Sequence, residues 1–378
     1  MKKRRQGEMD KTIFLLVTII VMIGVIMVYS SSYIQAYYSN RKMYHFFLSN
    51  FVYAVIGFIG MLLISKLPYT FYRSDSFVFG SVLTTLLLLL GTLVFGKNIN
   101  GSTRWIQVGR FTFMPSELAK MVCILYLSKV CSIRKLNINN FINLLIILAI
   151  PALFAVLIAL QPHISTTITL LVIIAYILII AGISGRYIAV ILGFVSVASI
   201  SLIVVSSYAK SRILAILSPS ITGSRAEVQV LNSLYAISSG GFFGRGLGNS
   251  IQKYLYLSAS YNDFIFSVYA EEFGFIGSVI LILLFFILIL RCIQLVKLAP
   301  DKFSSLLVCG IVAQIAFQFT VNVAVSLSLM PTTGVPLPFI SFGGTSLVIS
   351  MASMGIVLNV SRYGRRIKIS RELQEVKE

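Results

Sequence analysis

Residues 1–33 read MKKRRQGEMDKTIFLLVTIIVMIGVIMVYSSSY, a basic start followed by an uncharged apolar run over 13–33. A helix rises 1.5 Å per residue, so about 20 such residues cross the roughly 30 Å hydrocarbon core of a bilayer. No small-residue cleavage site closes the run, and it reads as a retained first transmembrane helix rather than a removed signal peptide. Nine further runs meet the same test, at 47–65, 77–96, 115–132, 142–160, 164–183, 187–206, 264–290, 304–325 and 339–360. They lack the alternation of barrel strands, so the expected fold is all-α and polytopic, with about ten transmembrane helices. Composition agrees: 57% of residues are hydrophobic and 11% charged, against about 25% charged in soluble domains. The expected organisation is one integral membrane unit over 1–378. It has a basic arm (1–12), a long extracytoplasmic loop between helices seven and eight (207–263) and a basic tail (361–378).

The net charge of +19 would suit nucleic acid if it lay on one soluble surface. Instead the cations crowd the ends of apolar runs, where they anchor helices and set orientation. Twenty of the 31 Lys and Arg fall on the side of the N-terminal arm, which makes that side, with both termini, cytoplasmic. No nucleic acid is implied. Ten lie on the other side: Arg41, Lys42, Lys97, Arg104, Arg110, Lys210, Arg212, Arg225, Arg245 and Lys253. Contact with lipid headgroups explains them, and so does an anionic ligand held there. The loop 207–263 is rich in aromatics and glycine, which argues for a folded or membrane-lying segment rather than a linker. Cys123, Cys131, Cys292 and Cys309 show no CxxC spacing, and His45 and His163 are far apart, so neither a disulfide framework nor a metal site follows.

Carboxylates are scarce. Apart from those on the N-terminal side, only Glu117, Glu227, Asp263, Glu271 and Glu272 remain for chemistry in or beyond the membrane. Ionisable groups in a bilayer cost several kcal/mol and default to functional hypotheses. In NGSTRWIQVGRFTFMPSELAK (100–120), Pro115 opens a helix whose first turn holds Ser116 and Glu117, with Lys120 within i,i+3 reach. Glu117 serves as a helix-start residue or as a functional acid; Lys120 completes a structural ion pair or binds phosphate. Trp105, the only tryptophan, is an interfacial anchor or a platform for a sugar. SLYAISSGGFFGRGLGNS (233–250) is glycine-dense without a Walker or dinucleotide pattern, a weak phosphate signal. YLYLSASYNDFIFSVYAEEFGFIG (254–277) sets Asp263 at the mouth of helix eight, as a cap or as a base, with Glu271 and Glu272 two turns deeper. PTTGVPLPFISFGGTS (331–346) reads as a proline-fixed re-entrant connection whose Gly343–Gly344 thin the next helix for close packing.

Together these segments resemble the SEDS family (shape, elongation, division and sporulation), which includes FtsW, RodA and SpoVE. The resemblance spans nearly the whole chain and rests on NGSTRWI with PSELAK, SLYAISSGGFFGRGLGNS, NDFIFSVYAEEFGFIG and PTTGVPLPFISFGGTS in the family's order. The opening DKTIFLLVTIIVMIGVIMVYSSS is more similar to the FtsW/SpoVE branch. The resemblance implies a ten-helix peptidoglycan glycosyltransferase of the bacterial cytoplasmic membrane that polymerises lipid II on the outer face. It serves division, elongation or sporulation and works beside a class B penicillin-binding protein. It puts the family's essential acid on Asp263, its loop tryptophan on Trp105, and its motif lysine and glutamate on Lys120 and Glu117. The chain departs from the pattern at QPHISTT (161–167), where His163 stands for an aspartate and Ser165 for a glycine, and at Met114 and Asn232, where glutamine is usual.

Such a reaction needs a base for the acceptor hydroxyl, for which Asp263 is placed, and cations for a departing pyrophosphate. Lys120, Arg104, Arg110, Arg212 and Arg245 are the candidates, and a divalent cation (Mg or Mn) can share the task although no ligand cluster demands one. Two rivals stand beside this reading. A lipid II flippase would draw a polar path from Glu271, Glu272, Lys120 and Gln161. A non-catalytic scaffold would account for the altered QPHISTT segment.

Overall fold

The computed structural model describes residues 7–375, apart from 40, 100–101, 110, 134–137, 162, 191–192, 194–196, 198–224 and 258–259. The apolar runs fold as helices: α1 (Lys11–Tyr38), α2 (His45–Lys66), the short α3 (Tyr69–Arg73), α4 (Asp75–Phe95), α5 (Pro115–Cys131), α6 (Phe141–Leu160) and α7 (Ile164–Ala181). After these come α8 (Arg225–Ser239), α9 (Ile265–Lys297), α10 (Lys302–Ser326) and α11 (Gly344–Glu375). Eight of them are long and apolar enough to cross a membrane; α5, at 17 residues, falls just short of that length. Of the run at 187–206, residues 187–190, 193 and 197 are helical and the rest lies outside the described residues.

Ends of helices fix the arrangement. Asp10 caps α1, accepting from the N–H groups of Thr12 and Ile13; its own N–H donates to Ser361 Oγ on α11, and Arg291 Nη2 on α9 is 3.1 Å from its carboxylate. The start of α1 and the ends of α9 and the α11 span therefore share one face, called here the terminal face. Lys129–Asp75 and Arg73–Asp301 pairs and the bond from Lys302 to Ala181 O tie α3, α4, α5, α7 and α10 to that same face.

α10 and α11 run through the centre and are largely enclosed, whereas α2 and the span of α9 leave most of their surface to lipid. Small residues permit the close crossings. A Cβ on Gly24 would stand 2.5 Å from Phe339 O, and one on Gly344 would stand 2.3 Å from the Tyr53 ring, in line with the packing role expected of that glycine.

The all-α expectation holds for the membrane part, with one addition. Lys97–Ile99 (β1), Ser102–Val108 (β2) and Phe111–Phe113 (β3) form an antiparallel meander on the opposite face. Gly109, at φ 62°, opens the turn into β3. The sheet caps the bundle through Thr345 Oγ1, which accepts from Met114 N–H and donates to Thr112 O.

Candidate active site

Asp263 lies in the turn that leads into α9, half-buried on the opposite face. The helix N-cap is Phe264, whose carbonyl starts the helical bonds, so Asp263 stands one residue outside the cap position. Its turn is held from two sides. Asn322 on α10 donates through Nδ2 to Asp263 O and to Val335 O, while Ser341 Oγ donates to Asn262 O and Phe342 N–H to Tyr261 O. Tyr261 also stacks in a triangle with Phe46 and Phe342, at ring separations of 4.9 to 5.6 Å. The carboxylate sits beside the connector between α10 and α11: a Cβ on Gly334 would stand 3.6 Å from Asp263 Oδ2, and its φ of +74° disfavours any side chain.

That connector leads to a second group of side chains. Thr333 O accepts from Ser165 Oγ in the first turn of α7, and His163 occupies the N-cap position of the same helix without a side-chain capping bond. His163 is buried, with Nδ1 3.4 Å from Ser116 Oγ and Nε2 2.9 Å from Thr166 Oγ1. Burial, and then the cations of Arg104 and Lys120, hold its imidazole well below the usual histidine range. Pro115, Ser116 and Glu117 occupy the first turn of α5, as the sequence indicated, and Lys120 Nζ lies 2.8 Å from Glu117 Oε1 with both side chains almost wholly buried. Glu117 Oε2, Thr333 Oγ1 and Asn322 Oδ1 are buried without a hydrogen-bond partner among the described residues. The structure thus gathers Arg104, Glu117, Lys120 and His163, and links them through Ser165 and the connector to Asp263. Trp105 follows Arg104 on β2, paired in register with Lys97 and partly exposed.

The remaining cations divide. Arg110 and Arg212 lie outside the described residues. Arg245 is engaged at the glycine-rich segment, donating to Ser239 O with Nε 3.8 Å from Glu271 Oε1. Lys253, counted above among the outer cations, is fully enclosed, 2.8 Å from Glu272 Oε1 and 5.0 Å from the Tyr33 ring. Headgroup contact does not explain it. Glu271 accepts from Ser239, Ser250 and the N–H groups of Ile251 and Gln252, and Glu272 from Ser30 on α1. Gln161 donates to Leu89 O. Each member of the polar path drawn for a flippase is therefore held by its own local partners.

The glycines have an architectural reason. α9 breaks at Gly274, which has φ 68° and ψ −165°. The carbonyls of Glu271 and Glu272 accept from Arg245 N–H and Gly246 N–H, and the N–H groups of Phe275 and Ile276 donate to Gly241 O and Phe242 O. In an unbroken helix those carbonyls and N–H groups would bond each other. The loop splices into the break, and at its two closest approaches only bare backbone fits: a Cβ on Gly244 would stand 2.2 Å from Glu272 O, and one on Gly240 2.2 Å from Ala270 O. Sequence reading also passed over Asn322, a polar residue within an apolar run, where membrane cost alone was a signal. It missed the β-meander too, although Asn100-Gly101 between polar and apolar alternation is a hairpin signal.

A family model described as a cell cycle protein, covering FtsW, RodA and SpoVE, matches residues 10–366. Stage V sporulation protein E of Bacillus subtilis is 35% identical over 364 residues, covering 94% of this chain and 98% of that protein. The probable peptidoglycan glycosyltransferase FtsW of a Geobacter species (strain M18) is 36% identical over 361 residues, covering 95% and 98%. Among solved structures, a chain from "Structural coordination of polymerization and crosslinking by a peptidoglycan synthase complex" superposes with a TM-score of 0.74 at 27% identity, covering 94% of this chain and 98% of that one.

Proposed function

The chain belongs to the family of cell cycle proteins that includes FtsW, RodA and SpoVE, and from that premise we propose how it works as a bacterial peptidoglycan glycosyltransferase. It polymerises lipid II on the outer face of the cytoplasmic membrane, with both termini inside. Asp263 takes the proton of the acceptor sugar hydroxyl as that oxygen bonds to the donor's anomeric carbon, and the lipid pyrophosphate departs with the bonding electrons. Lys120 and Arg104 stabilise the charge that builds on the pyrophosphate. A divalent cation can assist there, chelated mainly by the substrate's own oxygens; among the described residues there is no group of three or more metal-binding side chains. Trp105, partly exposed beside Arg104, offers a face for a sugar ring.

The observation that carries this reading is the position of Asp263, outside the cap yet fixed by Asn322 and Ser341 next to a side-chain-free Gly334. Its height supports the role. From Arg291 to Phe275 α9 rises about 24 Å, and beyond the Gly274 break it continues toward Asp263, which brings the carboxylate to the far edge of a core of roughly 30 Å, where a lipid-linked sugar sits. The finer partner assignment is a class B penicillin-binding protein, which the described complex of polymerisation and crosslinking supports.

The test is glycan-chain synthesis from lipid II with and without that partner, beside lipid II affinity, for the natural protein and Asp263→Asn. Loss of proton-accepting power should cut turnover by about two orders of magnitude or more while affinity changes little. Near-normal synthesis by the asparagine variant would remove Asp263 as base and move the role to Glu117. Dye-accessible lipid II without chains would instead identify a flippase.

A further inference from the structure

The segment 240–248 is tied to α9 by backbone, yet its two consecutive phenylalanines point away from the protein. Phe242 is 70% and Phe243 84% exposed. Exposed aromatic pairs on an extramembrane loop in water are unfavourable and mark an interaction surface. Here the surface they join can be followed. The Phe242 ring meets Phe275 edge-on at 6.0 Å, and Phe275, Ile276 and Ile280 form the exposed apolar stripe of the α9 span. Phe242 and Phe243 extend that lipid-facing stripe sideways.

Depth points the same way. Phe275 lies about 24 Å along α9 from Arg291, which is held to Asp10 on the terminal face. The hydrocarbon core is roughly 30 Å thick, so Phe275 and the ring touching it fall inside the core, near its far edge. Backbone at that depth survives only if its polar groups are paired. The exchange of bonds across the Gly274 break meets that condition for Gly241 O, Phe242 O, Arg245 N–H and Gly246 N–H, and Gly244 N–H to Gly240 O and Asn249 Nδ2 to Arg245 O add two more pairings. Arg245 within the segment is half-exposed, and Tyr254 and Tyr256, a few residues further along the chain, are exposed; these are residue types that settle at the boundary with headgroups.

We propose that residues 240–248 form a lipid-inserted element, with Phe242 and Phe243 seated among the upper acyl carbons of the leaflet on the opposite face. The splice then has a consequence: it joins a membrane-anchored loop to the helix that begins two residues after Asp263, and so fixes the height of that carboxylate above the lipid. This inference concerns location and stands whether or not Asp263 is a base.

A single-tryptophan reporter tests it. Trp105 is the only tryptophan, so Trp105→Phe combined with Phe243→Trp, and separately with Phe242→Trp, leaves one indole in full-length protein. Each is reconstituted into phosphatidylcholine vesicles brominated at shallow or at mid-chain carbons, and each is also titrated with aqueous iodide. The expected result is strong quenching by shallow bromines, weaker quenching by mid-chain bromines and little by iodide, with Gln107→Trp on the exposed β2 strand giving the reverse. Iodide quenching at 242 and 243 equal to that at 107 would make the loop aqueous and overturn the proposal. Shielding from both bromine and iodide would mean that a second copy covers the phenylalanines, and would overturn it equally.

Discussion

Two buried lysine–glutamate pairs invite comparison. Lys120–Glu117 and Lys253–Glu272 are each 2.8 Å apart and each almost wholly enclosed. The second is closed. Both oxygens of Glu272 accept from Ser30, Lys253 also reaches Ser30 Oγ at 3.2 Å, and the ammonium lies under the Tyr33 ring. The first is open, since Glu117 Oε2 has no hydrogen-bond partner among the described residues and a second cation, Arg104, stands close enough to depress His163 along with Lys120. Burying an ion pair is expensive, and the expense is recovered only when the remaining lone pairs and protons are satisfied. The closed pair meets that requirement and locks the loop after the glycines to α1 and α9. The open pair does not: Glu117 Oε2 lacks a hydrogen bond among the described residues.

Breaking the closed pair should give the largest effect. Lys253→Met leaves Glu272 buried without its counter-charge, and the loss expected is about 3–5 kcal/mol of stability. A fall in the thermal unfolding midpoint in detergent, with near-normal chain synthesis per folded molecule, is the outcome to look for. Adding Glu272→Leu should restore much of the midpoint. An unchanged midpoint for Lys253→Met alone would erase the distinction between the pairs.

Glu117→Gln should invert that pattern. It removes the counter-charge but keeps the shape and one hydrogen bond to Lys120, which Lys253→Met does not, so the midpoint should fall less than for Lys253→Met. Chain synthesis should fall by about tenfold, because Lys120 is no longer held in one geometry for the pyrophosphate. If stability and activity fall together, this pair is structural like the other.

His163→Asp should have the smallest effect. The site already faces Arg104 and Lys120, which would stabilise an aspartate, and Ser116 and Thr166 offer it hydroxyls. Activity within about threefold of the natural protein is expected. Its abolition in a folded protein would show that a neutral imidazole is required at this position.

Much of the fold was legible because membrane insertion is a property of contiguous segments. Nine of the ten apolar runs coincide with helices, some to the residue, as with Pro115 opening α5. The last helix starts at Gly344 rather than at 339 because the connector after Pro338 stays non-helical, and α1 and α9 run past their apolar stretches to Tyr38 and Lys297. The β-meander was not read because its strands are three to seven residues long and lack a long apolar face. Within the site, Asp263, Glu117, Lys120 and Trp105 could be singled out by scarcity and by resemblance. What Lys253 and Glu271 do could not be, since their partners lie on other segments: Ser30 is 223 residues from Lys253.

The sequence by itself determined which segments enter the bilayer, which side attracts the basic ends, and how few carboxylates are available for chemistry. Each follows from transfer free energies that add along the chain, whatever the packing. Tertiary structure alone decided which buried carboxylate oxygens find partners, because satisfying them depends on groups brought together from distant helices. It also decided the meaning of the glycines. A glycine-rich string is compatible with a phosphate cradle, but the break in α9 at Gly274 left carbonyl and N–H groups that the loop could reach only with bare backbone at Gly240 and Gly244, where it passes closest to the helix.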